Sequence, residues 1–65
     1  MNILRMRIKN IMAEIEAASV EVADEYAGKV IRAEAALIVE SDESPEIKIA
    51  GLRNLQTELR KLAAH

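Results

Sequence analysis

A stripe of apolar side chains at helical spacing restricts the fold of this chain more than any other feature of its sequence. Its first members follow one another at intervals of four, three, four, three and four residues: Leu4, Ile8, Ile11, Ile15, Ala18 and Val22. Such alternation is typical of an α-helix that buries one face against another helix. The stripe continues through Tyr26, Val30, Ala33 and Leu37. We therefore predict an all-α protein that begins with one long helix over residues 2–40.

A single polar cluster marks the predicted end of this helix. Residues 41–44 are polar and precede Pro45, the only proline of the chain, and such clusters form turns. Ser44 is suited to cap a second helix, because Pro45 then occupies the first helical position. We predict a turn over residues 41–44 and a shorter helix over residues 45–64. The apolar stripe of this helix consists of Ile49, Leu52, Leu55, Leu59 and Leu62. The whole chain, residues 1–65, would form a single helical-hairpin domain.

Gly28 leaves a second fold open. A glycine inside a helix costs about 1 kcal/mol relative to alanine, so Gly28 could instead end a shorter helix. The residues that follow it, KVIRAEAALIV, contain no Ser, Asp, Asn or Pro to begin a new helix. This favours a continuous helix. The alternative is a break at Gly28 and a monomeric three-helix bundle.

The composition indicates that the hairpin self-associates. The chain has 65 residues, no cysteine, no Phe and no Trp, and small domains that lack such stabilising elements often oligomerise. In a hairpin the shorter helix would end opposite Val22, which leaves residues 3–20 without a partner in their own chain. We therefore predict a homodimer. Its predicted interface consists of Leu4, Ile8, Ile11, Ile15, Ala18, Val22 and Leu62.

Charge predicts the direction of this pairing. Arg5 and Lys9 precede Glu16 and Glu21 along the first helix, so an antiparallel pair centred near Met12 and Ala13 would place opposite charges together. The same register stacks apolar residues on apolar residues, as expected of a coiled-coil-like interface. In its architecture alone, this predicted arrangement resembles the helical-hairpin dimers of Rop-type plasmid regulators.

The predicted long helix carries a second, thinner apolar face. Its members are also spaced by three and four residues, and they are the candidate partner-binding residues: Val20, Asp24, Ala27, Ile31 and Ile38. One interpretation is internal packing within the assembly. A second is a docking surface for a helix of another protein, and a third is a solvated alanine-rich face.

The sequence contains no pattern that predicts catalysis. Cysteine is absent and the only histidine is the final residue, His65. Carboxylate metal sites in helical bundles usually include a Glu-x-x-His element, which this chain lacks. The serines have no internal histidine to activate them as nucleophiles. We therefore expect no enzymatic activity, no bound metal and no cofactor.

Charge and hydropathy narrow the expected function further. The formal net charge is −2, and the longest apolar run, residues 35–39, is too short to span a membrane. We therefore expect a cytoplasmic protein. The preferred interpretation is a small protein-binding regulator, an inhibitor or adaptor, that docks as a homodimer on a larger protein. In size and make-up the chain resembles small accessory proteins of phages and plasmids. The alternative is a nucleic-acid-binding helical dimer that uses Arg5, Arg7 and Lys9.

Overall fold

Two short non-helical segments divide the chain into three helices. In the computed structural model, which describes residues 3–63, these are α1 (Ile3–Val20), α2 (Glu25–Glu40) and α3 (Pro45–Ala63). The described residues contain no β-strand, and each helix contacts the other two. The prediction of an all-α fold is confirmed, and the arrangement is a three-helix bundle measuring 37 × 17 × 14 Å.

The chain turns at residues 21–24. The predicted continuous helix over residues 2–40 is therefore wrong, and so is the simple hairpin. Asp24 has an extended backbone, with φ −84° and ψ 100°. Its carboxylate Oδ1 accepts hydrogen bonds from the backbone N–H groups of Tyr26 at 3.0 Å and Ala27 at 3.2 Å. These N–H groups have no partner within the first turn of a helix. Asp24 therefore begins α2 as a separate helix.

Gly28 lies inside α2, so the alternative fold had the correct number of helices but the wrong position for the break. A Cβ atom on residue 28 would lie 2.6 Å from the backbone oxygen of Ser19 in α1. Ser19 is buried, and its hydroxyl donates to the Glu16 oxygen at 2.9 Å and accepts from Arg32 Nη1 at 2.9 Å. Glycine is therefore needed here for the close approach of α2 to α1.

The predicted turn and the start of the last helix are confirmed. The Ser41 hydroxyl donates to the oxygen of Ile38 at 2.8 Å, close to the end of α2. The Lys48 ammonium group reaches back from α3 to the oxygen of Val39 at 2.8 Å. Ser44 accepts hydrogen bonds at the start of α3, including one from the backbone N–H of Lys48 at 3.0 Å. Residues 1, 2, 64 and 65 lie outside the described part of the chain. They include His65 and the predicted helix ends at residues 2 and 64.

The core contains residues from all three helices and from the turn between α1 and α2. Its buried apolar members are Ile11, Ile15, Val22, Ile31, Ala35, Leu52, Leu55 and Leu59. Ile15, Ala35 and Leu52 have no exposed surface. The core is therefore aliphatic, and the single tyrosine does not contribute a buried ring to it.

The first apolar stripe is covered largely by the chain's own helices. Ile11, Ile15 and Val22 are buried, and Leu4 and Ile8 are half-buried. Helix α3 extends along α1, and Gln56 Nε2 donates to Glu14 Oε2 at 2.8 Å. The expectation that residues 3–20 lack a partner in their own chain is therefore wrong. Ala18 and Leu62 are exposed. Dimerisation through this stripe stays a prediction, but the uncovered face that motivated it does not exist in the bundle.

Candidate interaction surface

The side of α2 that faces away from the bundle carries exposed apolar side chains. We call this set the outer stripe: Tyr26, Val30, Ala33 and Leu37. All four residues are exposed, with 76% of Tyr26, 37% of Val30 and 68% of Leu37 accessible to solvent. They lie at intervals of four, three and four residues. This spacing places them along a single face of the helix.

The opposite side of α2 is also apolar. Ile31 and Ala35 are buried there, and Ile38 and Val39 are half-buried. A surface helix of a small bundle usually has one apolar face towards the core and a polar face towards water. Helix α2 therefore presents more apolar surface than its own bundle covers.

The structure places the predicted partner-binding residues in different environments. Ile31 is buried in the core, whereas Ala27 and Ile38 are half-buried. Val20 is 74% exposed at the end of α1, and Asp24 uses its carboxylate to cap α2. The five residues thus do not form one exposed face, and Ile31 is not accessible as an anchor for a partner. The face of α2 that sequence spacing assigned to the helix–helix seam is instead the exposed outer stripe.

The non-helical residues 21–24 explain why the face of α2 that was predicted to form the seam is exposed and its other face is buried. Helical spacing relates residues only while the helix is continuous. The turn therefore removes the geometric link between the stripe of α1 and that of α2. The signal for the break was present in the sequence as Asp24 followed by Glu25, a helix-capping residue followed by an acidic residue in the first helical turn.

At the C-terminal end of α2, the apolar surface of the outer stripe continues onto α3. Leu37 lines an open groove of about 290 Å³ together with Ile38, Ile47 and Gly51. Ile47, on the first turn of α3, is itself 55% exposed. Ser41, Glu43 and Lys48 complete the lining of the groove. The apolar surface is therefore continued by a shallow depression between two helices.

Two exposed charged residues flank the outer stripe. In coiled-coil notation, Val30 and Leu37 take the a positions, and Tyr26 and Ala33 take the d positions. Lys29 then falls at g and Glu34 at e, on opposite flanks of the stripe. Both residues are exposed.

Three of the basic side chains line two different grooves of the bundle. Arg5 and Lys9 line an apolar groove of about 450 Å³ beside α2. Arg60 instead lines a groove of about 200 Å³ that also contains Glu14 and Glu21. Proteins that bind nucleic acids usually concentrate Lys and Arg on one face. Arg60 does not share a groove with Arg5 and Lys9.

Comparison of the chain with protein-family models, curated proteins and solved structures found no match. Among residues 3–63, no group of three His, Cys, Asp or Glu side chains is placed to hold a metal ion. No helix in this range is both long enough and apolar enough to cross a membrane.

Proposed function

We propose that this protein is a small, non-enzymatic regulator that acts by binding another protein, as an inhibitor or an adaptor. The observation that carries this proposal is the outer stripe of α2, with Tyr26 and Leu37 each more than two-thirds exposed. Apolar side chains at this spacing on a rigid helix are a common means of recognising a partner's groove or helix. The absence of cysteine is compatible with the reducing cytoplasm, where we propose that the protein acts.

The composition of the outer stripe supports a binding role. Tyrosine is enriched among the residues that dominate binding energy at protein interfaces. Ala33 lies between the larger side chains and has a small side chain that allows close approach of a second helix. Leu37 and Ile47 add an apolar groove at one end. The flanking Lys29 and Glu34 supply charges that can orient a partner.

Leu37→Asp should remove partner binding without unfolding the chain. The side chain at this position is 68% exposed, so an added carboxylate would stay hydrated in the free protein but would be buried unpaired at an interface. We expect at least a tenfold loss of partner in quantitative affinity capture from the native host. Circular dichroism should show an unchanged helical content.

Met6→Asp is the matched control, because Met6 is 52% exposed and lies on α1 rather than on the outer stripe. This variant should capture the partner as well as the unaltered chain does. If Leu37→Asp and Met6→Asp captured the same proteins in the same amounts, the outer stripe would not be the binding surface.

A further inference from the structure

The charges beside the outer stripe identify one occupant for it. We propose that a second copy of this chain pairs with the outer stripe, α2 against α2 in parallel, as a short two-stranded coiled coil. This inference rests on the proposed role of the outer stripe as a binding surface, which a second copy and the partner protein would occupy in turn.

The apolar residues fit a symmetric parallel pair. Each of the four outer-stripe residues would meet its own equivalent in the second copy, with Val30 and Leu37 at a and with Tyr26 and Ala33 at d. A β-branched residue at an a position favours two-stranded parallel coiled coils. The buried residues Gly28, Ile31 and Ala35 lie on the other side of α2. Each bundle would therefore stay on the outside of the paired helices.

The flanking charges fit the parallel direction. In parallel coiled coils, a residue at g lies beside the e residue five positions later on the other helix. Lys29 at g and Glu34 at e are separated by five positions, so each lysine would face the glutamate of the second copy. The two-fold symmetry of the pair would produce this contact twice.

An antiparallel pair would leave these charges without opposite partners. Such a register places Tyr26 opposite Leu37, which is acceptable for packing. In this register each g position faces a g position of the other helix, and each e position faces an e position. Lys29 would therefore lie beside Ala36, and Glu34 beside Ala27. The parallel pair also places Glu40, an exposed residue at the end of α2, beside its equivalent in the second copy. The two Lys29–Glu34 contacts outnumber this single contact between like charges, so charge favours the parallel arrangement.

The length of the stripe limits the strength of this dimer. Tyr26 and Leu37 are separated by about 16 Å along the helix axis, at a rise of about 1.5 Å per residue. Interfaces smaller than about 1,200 Å² in total are typical of weak or transient complexes. We therefore expect a reversible monomer–dimer equilibrium rather than an obligate dimer.

Charge reversal tests this arrangement on the full chain by sedimentation equilibrium. The unaltered chain should approach twice its monomer mass as concentration rises. Lys29→Glu and Glu34→Lys should each raise the dimer Kd about tenfold, because each places like charges together at both symmetric contacts. The double variant K29E/E34K should restore the original Kd, and so should an equimolar mixture of the two single variants. Arg53→Glu, an exposed charge reversal on α3, is the control and should leave the Kd unchanged.

Three results would overturn the inference. These are a chain that stays monomeric at about 1 mM, a dimer that is unaffected by Leu37→Asp, and single charge reversals that are not rescued by the double variant. The proposed function is tested separately by capture of a different protein. A monomeric chain whose capture of that protein depends on Leu37 would refute the pairing but support the proposed function.

Discussion

Replacing Gly28 with alanine should lower the free energy of unfolding by about 1–2 kcal/mol. The added methyl group would lie 2.6 Å from the backbone oxygen of Ser19, and backbone atoms cannot rotate away from it. Overpacking against backbone atoms at this distance should cost about 2–3 kcal/mol, and the gain of about 1 kcal/mol in helix propensity leaves a net loss of about 1–2 kcal/mol. The glycines of the described chain do not have positive φ angles, so space rather than backbone conformation determines the effect. Thermal and urea denaturation followed by circular dichroism would measure it.

Gly51→Ala is the matched control for this variant. Its Cβ would meet the Cδ1 atom of Ile38 at 3.3 Å, which is the far end of a flexible side chain. The helix-propensity gain should therefore survive, and the stability should stay the same or rise by up to about 1 kcal/mol. If both alanine variants were equally stable, α1 and α2 would not approach each other as closely as described.

Ile15→Ala and Leu52→Ala should each destabilise the bundle by about 2–5 kcal/mol. Both side chains have no exposed surface, so truncation removes apolar contacts and leaves a cavity. A folded domain of this size has a total stability of only about 3–10 kcal/mol. We therefore expect the melting temperature to fall by about 10 °C or more.

Leu37→Ala is the control for these core variants, because Leu37 is 68% exposed. At a concentration low enough to keep the chain monomeric, its stability should change by less than about 0.5 kcal/mol. A large loss of stability in dilute Leu37→Ala, with little loss in Ile15→Ala, would mean that the core and the outer side of α2 are assigned the wrong way round.

The start of α3 could be predicted from the sequence because its signals are local. Ser44 and Pro45 determine the cap and the first turn through their own backbone and side-chain chemistry. The apolar spacing of α3 then identified Leu52, Leu55 and Leu59, and all three are buried. Local chemistry and periodicity agree over this part of the chain, which is the condition under which sequence patterns are informative.

The break between α1 and α2 was missed because two signals disagreed there. The apolar spacing continued through residues 21–24, whereas Asp24 offered a helix cap. In the structure the cap prevails, since Val22 becomes buried and α2 can pack against α1 over Gly28. These tertiary contacts compensate for the helical hydrogen bonds that are lost at the turn, and they are not visible in local spacing.

The outer stripe could be found only once the orientation of α2 was known. The sequence shows two apolar faces on this segment but not which of them is turned towards the core. Tyr26, Val30 and Leu37 continue the spacing of the first stripe, which predicts that they belong to a buried seam. In the bundle the smaller Gly28 and Ala35 are buried together with Ile31, because small residues allow the closer approach of neighbouring helices.

Disulfide cross-linking of single-cysteine variants tests the pairing of α2 with α2 most directly. The natural chain has no cysteine, so each variant reports on one position. Glu40→Cys lies one heptad beyond Ala33, where a parallel pair brings the two copies close enough to form a disulfide. Met12→Cys marks the centre of the antiparallel pairing of α1 predicted from the sequence, because Met12 flanks the first stripe there and would face its equivalent in the other copy. We expect Glu40→Cys to oxidise to a covalent dimer and Met12→Cys to stay monomeric. Cross-linking of Met12→Cys, without cross-linking of Glu40→Cys, would contradict this account.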